Sequence, residues 1–74
     1  MKMKAIKITS EYITLGQLLK FADVIQSGGE TKFFLSKNKI WVNHELEARR
    51  GKKLYPGDQI KINDEIMLEI VKQQ

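Results

Sequence analysis

The spacing of hydrophobic residues changes several times along the chain, and each change predicts a new structural element. Near the start, "AIKI" alternates apolar and polar positions, which predicts a short strand with Ile6 and Ile8 on its inner face. From Thr14 onward the apolar positions instead recur three and four residues apart, which is the spacing of an amphipathic helix. The predicted inner face of this first helix consists of Leu15, Leu18, Leu19 and Ala22.

Polar residues at the predicted helix ends indicate where each helix begins and stops. Thr14 and Gln17 have the spacing of a capping box, in which the two side chains bind free backbone N–H groups. "SGGE" repeats this pattern with Ser27 and Glu30 and predicts a second helix. We expect Asn38 to end that helix in the left-handed conformation, which Asn tolerates. Its inner stripe is predicted to contain Thr31, Phe34 and Leu35. Phe33 lies on one flank, where we favour the edge of the core over an exposed stacking surface.

Two glycines at the start of the second helix call for a compensating interaction. Each costs roughly 1 kcal/mol relative to alanine in a helix. We expect either close packing of Gly28 and Gly29 against the first helix or the close approach of a partner. Ser27-Gly28-Gly29 also presents backbone N–H groups of the kind that bind phosphate, but a cap with tight helix packing is the interpretation we favour.

Strict alternation returns after the second helix. In "IWVN", Ile40 and Val42 are predicted to face the core and Trp41 to face outward, before a tight turn at residues 43–44. "YPGD" predicts another turn, and "QIKI" with "EIMLEIV" predicts a hairpin around residues 63–64. The expected fold class is therefore α+β, with two short helices packed on a small, mostly antiparallel sheet. The inner face of the hairpin is predicted to contain Ile60, Ile62, Ile66, Leu68 and Ile70.

Length and charge narrow the functional classes. The chain has 74 residues and is predicted to be a single domain, residues 1–74. It contains no cysteine, which is typical of a reducing cytoplasm, and no apolar run approaches the roughly 20 residues of a membrane span. The net charge of +4 arises in residues 28–53, where seven basic residues stand against three acidic ones. Clustered positive charge predicts a polyanionic partner, and nucleic acid is the commonest one.

The densest charge is "RRGKK", residues 49–53, just before the "YPGD" turn. A run of like charge is commonly a solvated loop. Here the turn restricts the path of the chain, and Lys32, Lys37 and Lys39 add charge nearby, so we favour a surface that binds a polyanion. Trp41 leaves two interpretations open: a helix or the loop covers it, or it stacks on an unpaired base or ribose.

No grouping of residues in the sequence indicates an enzyme. His44 is the single histidine, and it suits a turn with positive φ better than a zinc site. Glu45 and Glu47 have the spacing of a carboxylate pair, but Arg49 and Arg50 follow them, and ion pairing is the ordinary explanation. Because nucleophile, base and oxyanion donor do not occur together, we expect no catalysis, no cofactor and no small-molecule substrate.

The ordered set "KIWVN" followed by "GKKLYPGDQI" resembles the RNA-binding domain named after ribosomal small-subunit protein S-four, also called the alpha-L motif. The resemblance covers residues 14–62, and "GGETK" with "EARRGKKL" is most similar to the stand-alone YaaA-type branch. It implies that the second helix and the loop after it contact structured RNA, often ribosomal. Three positions depart from the family pattern: Thr14 and Gln17 replace the usual basic residues of the first helix, Gly28-Gly29 replaces the usual Arg-Ser pair, and His44 replaces the usual turn glycine. These changes suggest a shifted RNA register or a particular RNA.

Charge and resemblance together predict a non-catalytic, monomeric RNA-binding protein of the cytoplasm. The resemblance makes ribosomal RNA or an assembling ribosomal particle the expected partner. A DNA-binding accessory protein remains an alternative, as does a protein-interaction adaptor that exposes Phe33, Trp41 and Tyr55. The predicted RNA-binding residues are Lys20, Lys32, Lys37, Lys39, Trp41, Asn43, Arg49, Arg50, Lys52 and Lys53.

Overall fold

A computed structural model describes residues 2–73 of the chain. Within that range the backbone forms seven strands, two α-helices and one short 3-10 helix. In chain order these elements are β1 (Lys2–Ile8), β2 (Ile13–Thr14), α1 (Leu15–Phe21), the 3-10 helix (Gly28–Glu30), α2 (Thr31–Lys37), β3 (Ile40–Val42), β4 (Glu45–Leu46), β5 (Lys53–Leu54), β6 (Gln59–Ile62) and β7 (Ile66–Lys72).

Five of the strands form one sheet in the order β1-β7-β6-β3-β4, and β2 pairs with β5 in a separate two-stranded ladder. Neighbouring strands are antiparallel except β1 and β7, which run parallel with Ile6 opposite Ile70. The parallel pair brings the beginning and the end of the described chain together. The predicted class, two helices with a mostly antiparallel sheet, is confirmed.

The hydrophobic core forms between α1 and the inner face of the sheet. Leu15, Leu18 and Leu19 of α1 are fully buried, and full burial of such a side chain stabilises the fold by about 1.5–3 kcal/mol. The predicted inner residues of the strands are buried as well, apart from Ile66, which is half-buried. The core also includes residues that the hydrophobic pattern did not identify, namely Ile13, Ile25 and Leu54.

The start of α1 follows its sequence pattern. The Oγ1 atom of Thr14 accepts a hydrogen bond from the Gln17 amide at 3.3 Å, and the Thr14 amide donates to Oε1 of Gln17 at 2.9 Å. Both halves of the predicted capping box are therefore present.

The start of α2 differs from its sequence pattern. Ser27 stands before the 3-10 helix, but its side chain makes no capping hydrogen bond, and regular α-helix begins only at Thr31. A β-carbon added to Gly28 would meet no atom within 4 Å, and one added to Gly29 would meet only Oγ of Ser27 at 3.9 Å. The expected packing of these glycines against α1 is therefore wrong, because the segment runs along the surface.

Asn38 ends α2 as predicted, but in an extended conformation with φ −128°. The left-handed cap is wrong because the side chain satisfies the helix end in another way. The Nδ2 atom of Asn38 donates to the Phe34 carbonyl at 2.9 Å, and its Oδ1 accepts from Nδ2 of Asn63 at 2.7 Å. Asn38 therefore ties the end of α2 to the β6–β7 hairpin.

The three predicted turns are confirmed by positive φ angles at their corners. Asn43 and His44 have φ of 50° and 74°, and Asn63 and Asp64 have φ of 58° and 97°. Positive φ at both central residues is the geometry of a type I′ turn. Gly57 has φ of 100°, as its place in "YPGD" predicted.

Replacing Gly28 or Gly29 by alanine should raise the free energy of unfolding by about 0.5–1 kcal/mol each. Both positions have room for a methyl group, and neither has a positive φ, so alanine mainly restricts the unfolded chain. Urea unfolding measures the change. Gly57→Ala is the matched control and should lose stability, because its φ of 100° strains any side chain. Destabilisation by Gly28→Ala would contradict the open packing described above.

Candidate functional site

The basic loop, residues 47–52, connects β4 to β5 and is fixed against the first turn of α1. The Leu15 amide donates to the Lys52 carbonyl at 2.9 Å, and the Gly16 amide donates to the Arg50 carbonyl at 2.9 Å. Amides in the first turn of a helix have no partner within the helix, so the loop supplies the acceptors that these groups need. This arrangement places the loop beside α1 although the two segments are far apart in sequence.

Gly16 lies where α1, α2 and the basic loop meet. A β-carbon at this position would be 3.4 Å from Cγ2 of Thr31 and 3.5 Å from the Arg50 carbonyl oxygen. Thr31 is itself buried, with 3% of its surface exposed. A β-carbon there would make ordinary van der Waals contact with both neighbours, so α1, α2 and the loop pack closely at Gly16. The sequence analysis did not identify Gly16, although a glycine inside a short helix is a usable sign of close packing.

Glu47 organises the basic loop from inside. Its carboxylate accepts hydrogen bonds from the amides of Ala48 at 3.2 Å and Arg49 at 3.0 Å, and from Nε of Arg49 at 2.9 Å. Only 13% of the Glu47 side chain is exposed, whereas 75% of the Arg49 side chain is exposed. Of the expected ion pairs, the one between Glu47 and Arg49 is therefore present and partly neutralises Arg49, whereas Glu45 and Arg50 form none among residues 2–73.

These contacts lower the pKa of Glu47 to about 2, and the side-chain hydrogen bonds from Arg49 are the largest cause. Burial of the carboxyl acts in the opposite direction, while the backbone amides of Arg49 and Ala48 reinforce the lowering. The same pair raises the pKa of Arg49. Glu47 is therefore ionised throughout the neutral range.

Lys32 and Arg50 line one open groove between α2 and the basic loop. This helix–loop groove has a volume of about 420 Å³, and Leu35, Ser36 and Ala48 complete its walls. Lys32, Leu35 and Ser36 share one face of α2 because they are three and four residues apart. Among residues 2–73, neither Lys32 nor Arg50 forms an ion pair, so both positive charges are available at the groove.

Lys52 and Lys53 line a different hollow, with a volume of about 210 Å³. Asn43 and Tyr55 line it too, together with the acidic residues Glu45, Glu47 and Asp58. The cations of residues 49–53 therefore divide between two surfaces: Arg50 joins Lys32, whereas Lys52 and Lys53 lie among carboxylates.

Other predicted site residues lie on α1, α2 and the segment after it. The Nζ atom of Lys37 is 5.7 Å from the ring centroid of Phe33, whose 67% exposure shows that its predicted place at the core edge is wrong. Lys39 is exposed; its amide donates a hydrogen bond to Oδ1 of Asn63 at 2.9 Å, and its carbonyl accepts one from the Asn63 amide at 2.8 Å. Lys20 is exposed in the last turn of α1, at the opposite end from the basic loop.

Trp41 and Asn43 lie at β3 and the turn after it. Trp41 is half-buried, and Nζ of Lys61 lies 4.7 Å from its ring centroid, so a strand side chain covers it in place of a helix or the loop. The Asn43 side chain donates to Oδ1 of Asp58 at 3.0 Å and accepts from the Gln59 amide at 2.9 Å. Asn43 therefore holds the β3–β4 turn against the start of β6, and a role in RNA binding stays a prediction for both residues.

Two further properties concern the described chain, residues 2–73. Neither of its α-helices has the length and apolar character needed to cross a membrane. No three His, Cys, Asp or Glu residues in this range are grouped so that they could hold a metal ion.

The Glu47 carboxyl should titrate near pH 2 in the folded protein, and Arg49→Ala should move its pKa up toward the ordinary 4.5. The lowered pKa means that Glu47 adds stability above about pH 4.5, and this contribution is lost as the pH falls toward 2. Carboxyl chemical shifts followed by NMR across this range measure both values. Arg50→Ala is the control, since Arg50 makes no contact with Glu47 that lowers its pKa. A midpoint near 4.5 in the unmodified protein would contradict this account of the loop.

Comparison with known proteins adds family evidence to this geometry. A family model described as the S4 domain matches residues 6–71, which include both helices and the whole basic loop. The "Probable ribosome maturation protein RlbA" of Bacillus subtilis (strain 168) is 60% identical over 57 residues, covering 77% of this chain and 80% of the relative. The resemblance inferred from "KIWVN" and "GKKLYPGDQI" is therefore confirmed, and this chain belongs to the S4 domain family.

Proposed function

We propose that this protein binds structured RNA without catalysing a reaction, and that its partner is ribosomal RNA or a ribosomal particle. The observation that carries the proposal is the placement of Lys32 and Arg50, which form no ion pair among residues 2–73, on the two sides of the helix–loop groove. The family match and the relative's name, a ribosome maturation protein, support the choice of RNA as the polyanion. The proposed setting is the cytoplasm, and the protein acts as a monomer without a cofactor.

The chemistry of the groove suits an RNA backbone. Arg50 offers a planar fork of donors that matches two phosphate oxygens, and Lys32 adds a compact positive charge on the facing helix. Leu35 and Ala48 provide apolar surface for the ribose, and the Ser36 hydroxyl lies on the same wall. Contacts of this kind position a folded RNA by its shape and its 2′-hydroxyl groups more than by its base sequence.

The anchoring of the loop favours tight binding. The backbone of Arg50 is held by the Gly16 amide, and the neighbouring Glu47 carboxylate fixes the turn that precedes it. A binding loop that is ordered before the partner arrives loses less conformational entropy on binding. Lys37, Lys39, Arg49, Lys52 and Lys53 do not line this groove, but with the net charge of +4 they contribute longer-range attraction.

Replacing Lys32 and Arg50 together by glutamine should weaken binding to deproteinised ribosomal RNA at least tenfold. The slope of log K against log[salt] should become shallower by about 2, because two phosphate contacts are lost. Filter binding between about 50 and 200 mM salt measures affinity and slope together.

Lys4→Gln with Lys72→Gln is the matched control for this double variant. It removes the same charge from exposed positions in β1 and β7, outside the helix–loop groove. Equal losses in the two double variants would mean that only net charge matters, and the proposed groove would then be wrong.

Competition between an RNA duplex and a DNA duplex of the same sequence separates RNA binding from the alternative of a DNA-binding accessory protein. A site that contacts 2′-hydroxyl groups should prefer RNA severalfold at equal salt, since both competitors carry the same number of phosphates. Preference for the DNA duplex would favour the alternative.

A further inference from the structure

The ladder formed by β2 and β5 brings together two tyrosines that are distant in sequence. Ile13 pairs with Leu54, and Thr14 pairs with Lys53. Tyr12 and Tyr55 are the next residues outward in this antiparallel register. Successive side chains of a strand point to opposite faces, and Ile13 and Leu54 point into the core. Tyr12, Tyr55 and Lys53 therefore share the outer face of the ladder.

The three side chains form an exposed aromatic and basic cluster. The ring centroids of Tyr12 and Tyr55 are 5.8 Å apart with planes tilted by 45°, and Nζ of Lys53 is 4.9 Å from the Tyr12 centroid. Tyr12 is 37% exposed and Tyr55 is 44% exposed. Two aromatic rings thus remain partly open to solvent beside a lysine.

This cluster is continuous with the basic loop. Lys53 and Tyr55 line the same hollow as Lys52, the last residue of that loop. Two of the carboxylates in this hollow are occupied by internal partners, Glu47 by Arg49 and Asp58 by Asn43 and the Tyr55 amide. Arg49 therefore offsets the charge of Glu47, while the hydrogen bonds to Asp58 hold that carboxylate in place without neutralising it. Lys52 and Lys53 form no ion pair among residues 2–73.

We infer that Tyr12 and Tyr55 form a stacking site for one unpaired nucleotide of the bound RNA, with Lys53 beside the phosphate of that nucleotide. Exposed aromatic rings next to cationic side chains are the arrangement by which proteins hold single-stranded nucleic acid without base specificity. The inference rests on the proposed RNA binding and deepens it. Under this inference, the helix–loop groove binds paired RNA by its shape, and the tyrosine cluster beside Lys53 binds an unpaired nucleotide.

An RNA stem–loop with 2-aminopurine in its unpaired loop tests the site, with a fully paired duplex of equal phosphate number as the second probe. The fluorescence of 2-aminopurine should fall further when the protein binds, because the base stacks on a tyrosine ring. Tyr12→Leu with Tyr55→Leu should abolish this quenching and weaken stem–loop binding about tenfold, within the range for one lost stacking contact. Binding of the duplex should not change.

Two controls separate stacking from folding. Tyr12→Phe with Tyr55→Phe keeps both rings and should retain the quenching. Phe33→Leu removes another exposed ring that also lies beside a lysine and should leave the quenching unchanged. Thermal unfolding of the leucine variant should stay near that of the unmodified protein, since both tyrosines are exposed.

The outcomes distinguish this inference from the proposed function. If both RNAs bind in a salt-dependent manner but the tyrosine variant binds and quenches like the unmodified protein, the stacking site is wrong and RNA binding stands. Equal weakening on the stem–loop and the duplex would also overturn the stacking site, because it would show a general effect on the loop. Failure of the unmodified protein to bind either RNA would overturn both.

Discussion

Two backbone hydrogen bonds, from the amides of Leu15 and Gly16 to the carbonyls of Lys52 and Arg50, hold the basic loop of the candidate site against α1. They satisfy helix N–H groups that have no intrahelical partner and at the same time fix a loop rich in positive charge. Thr31, the first residue of α2, packs beside Gly16 at the same junction. The same two hydrogen bonds thus cap α1 and hold the basic loop in place.

The basic loop tolerates its positive charge because one cation is paired with a carboxylate and the others lie on different surfaces. Glu47 binds Arg49 and two loop amides, which offsets one cation and shapes the turn. The remaining cations separate, with Arg50 facing Lys32 and the two following lysines facing another hollow. Self-repulsion is therefore smaller than the run "RRGKK" implies, and positive charge is presented on two adjoining surfaces instead of one.

Contacts within the fold account for the predicted aromatic and polar site residues that lie away from the groove. Phe33 belongs to the exposed flank of α2 because the inner stripe of a seven-residue helix is already filled by Thr31, Phe34 and Leu35. The Asn43 side chain is used within its own turn, and Trp41 lies under a lysine of the neighbouring strand. No sequence pattern indicated a role for Tyr12, because its neighbours Lys53 and Tyr55 are distant from it in sequence.

The sequence by itself determined the local elements: the capped helix at Thr14, the alternating strands and the turns at residues 43–44, 57 and 63–64. These depend on side-chain periodicity, capping and backbone sterics, which act over a few residues. Only the tertiary structure decided the parallel pairing of β1 with β7, the ladder of β2 with β5 and the grouping of Lys32 with Arg50. Those contacts join distant segments, and they follow from how the whole core packs, which no local pattern specifies.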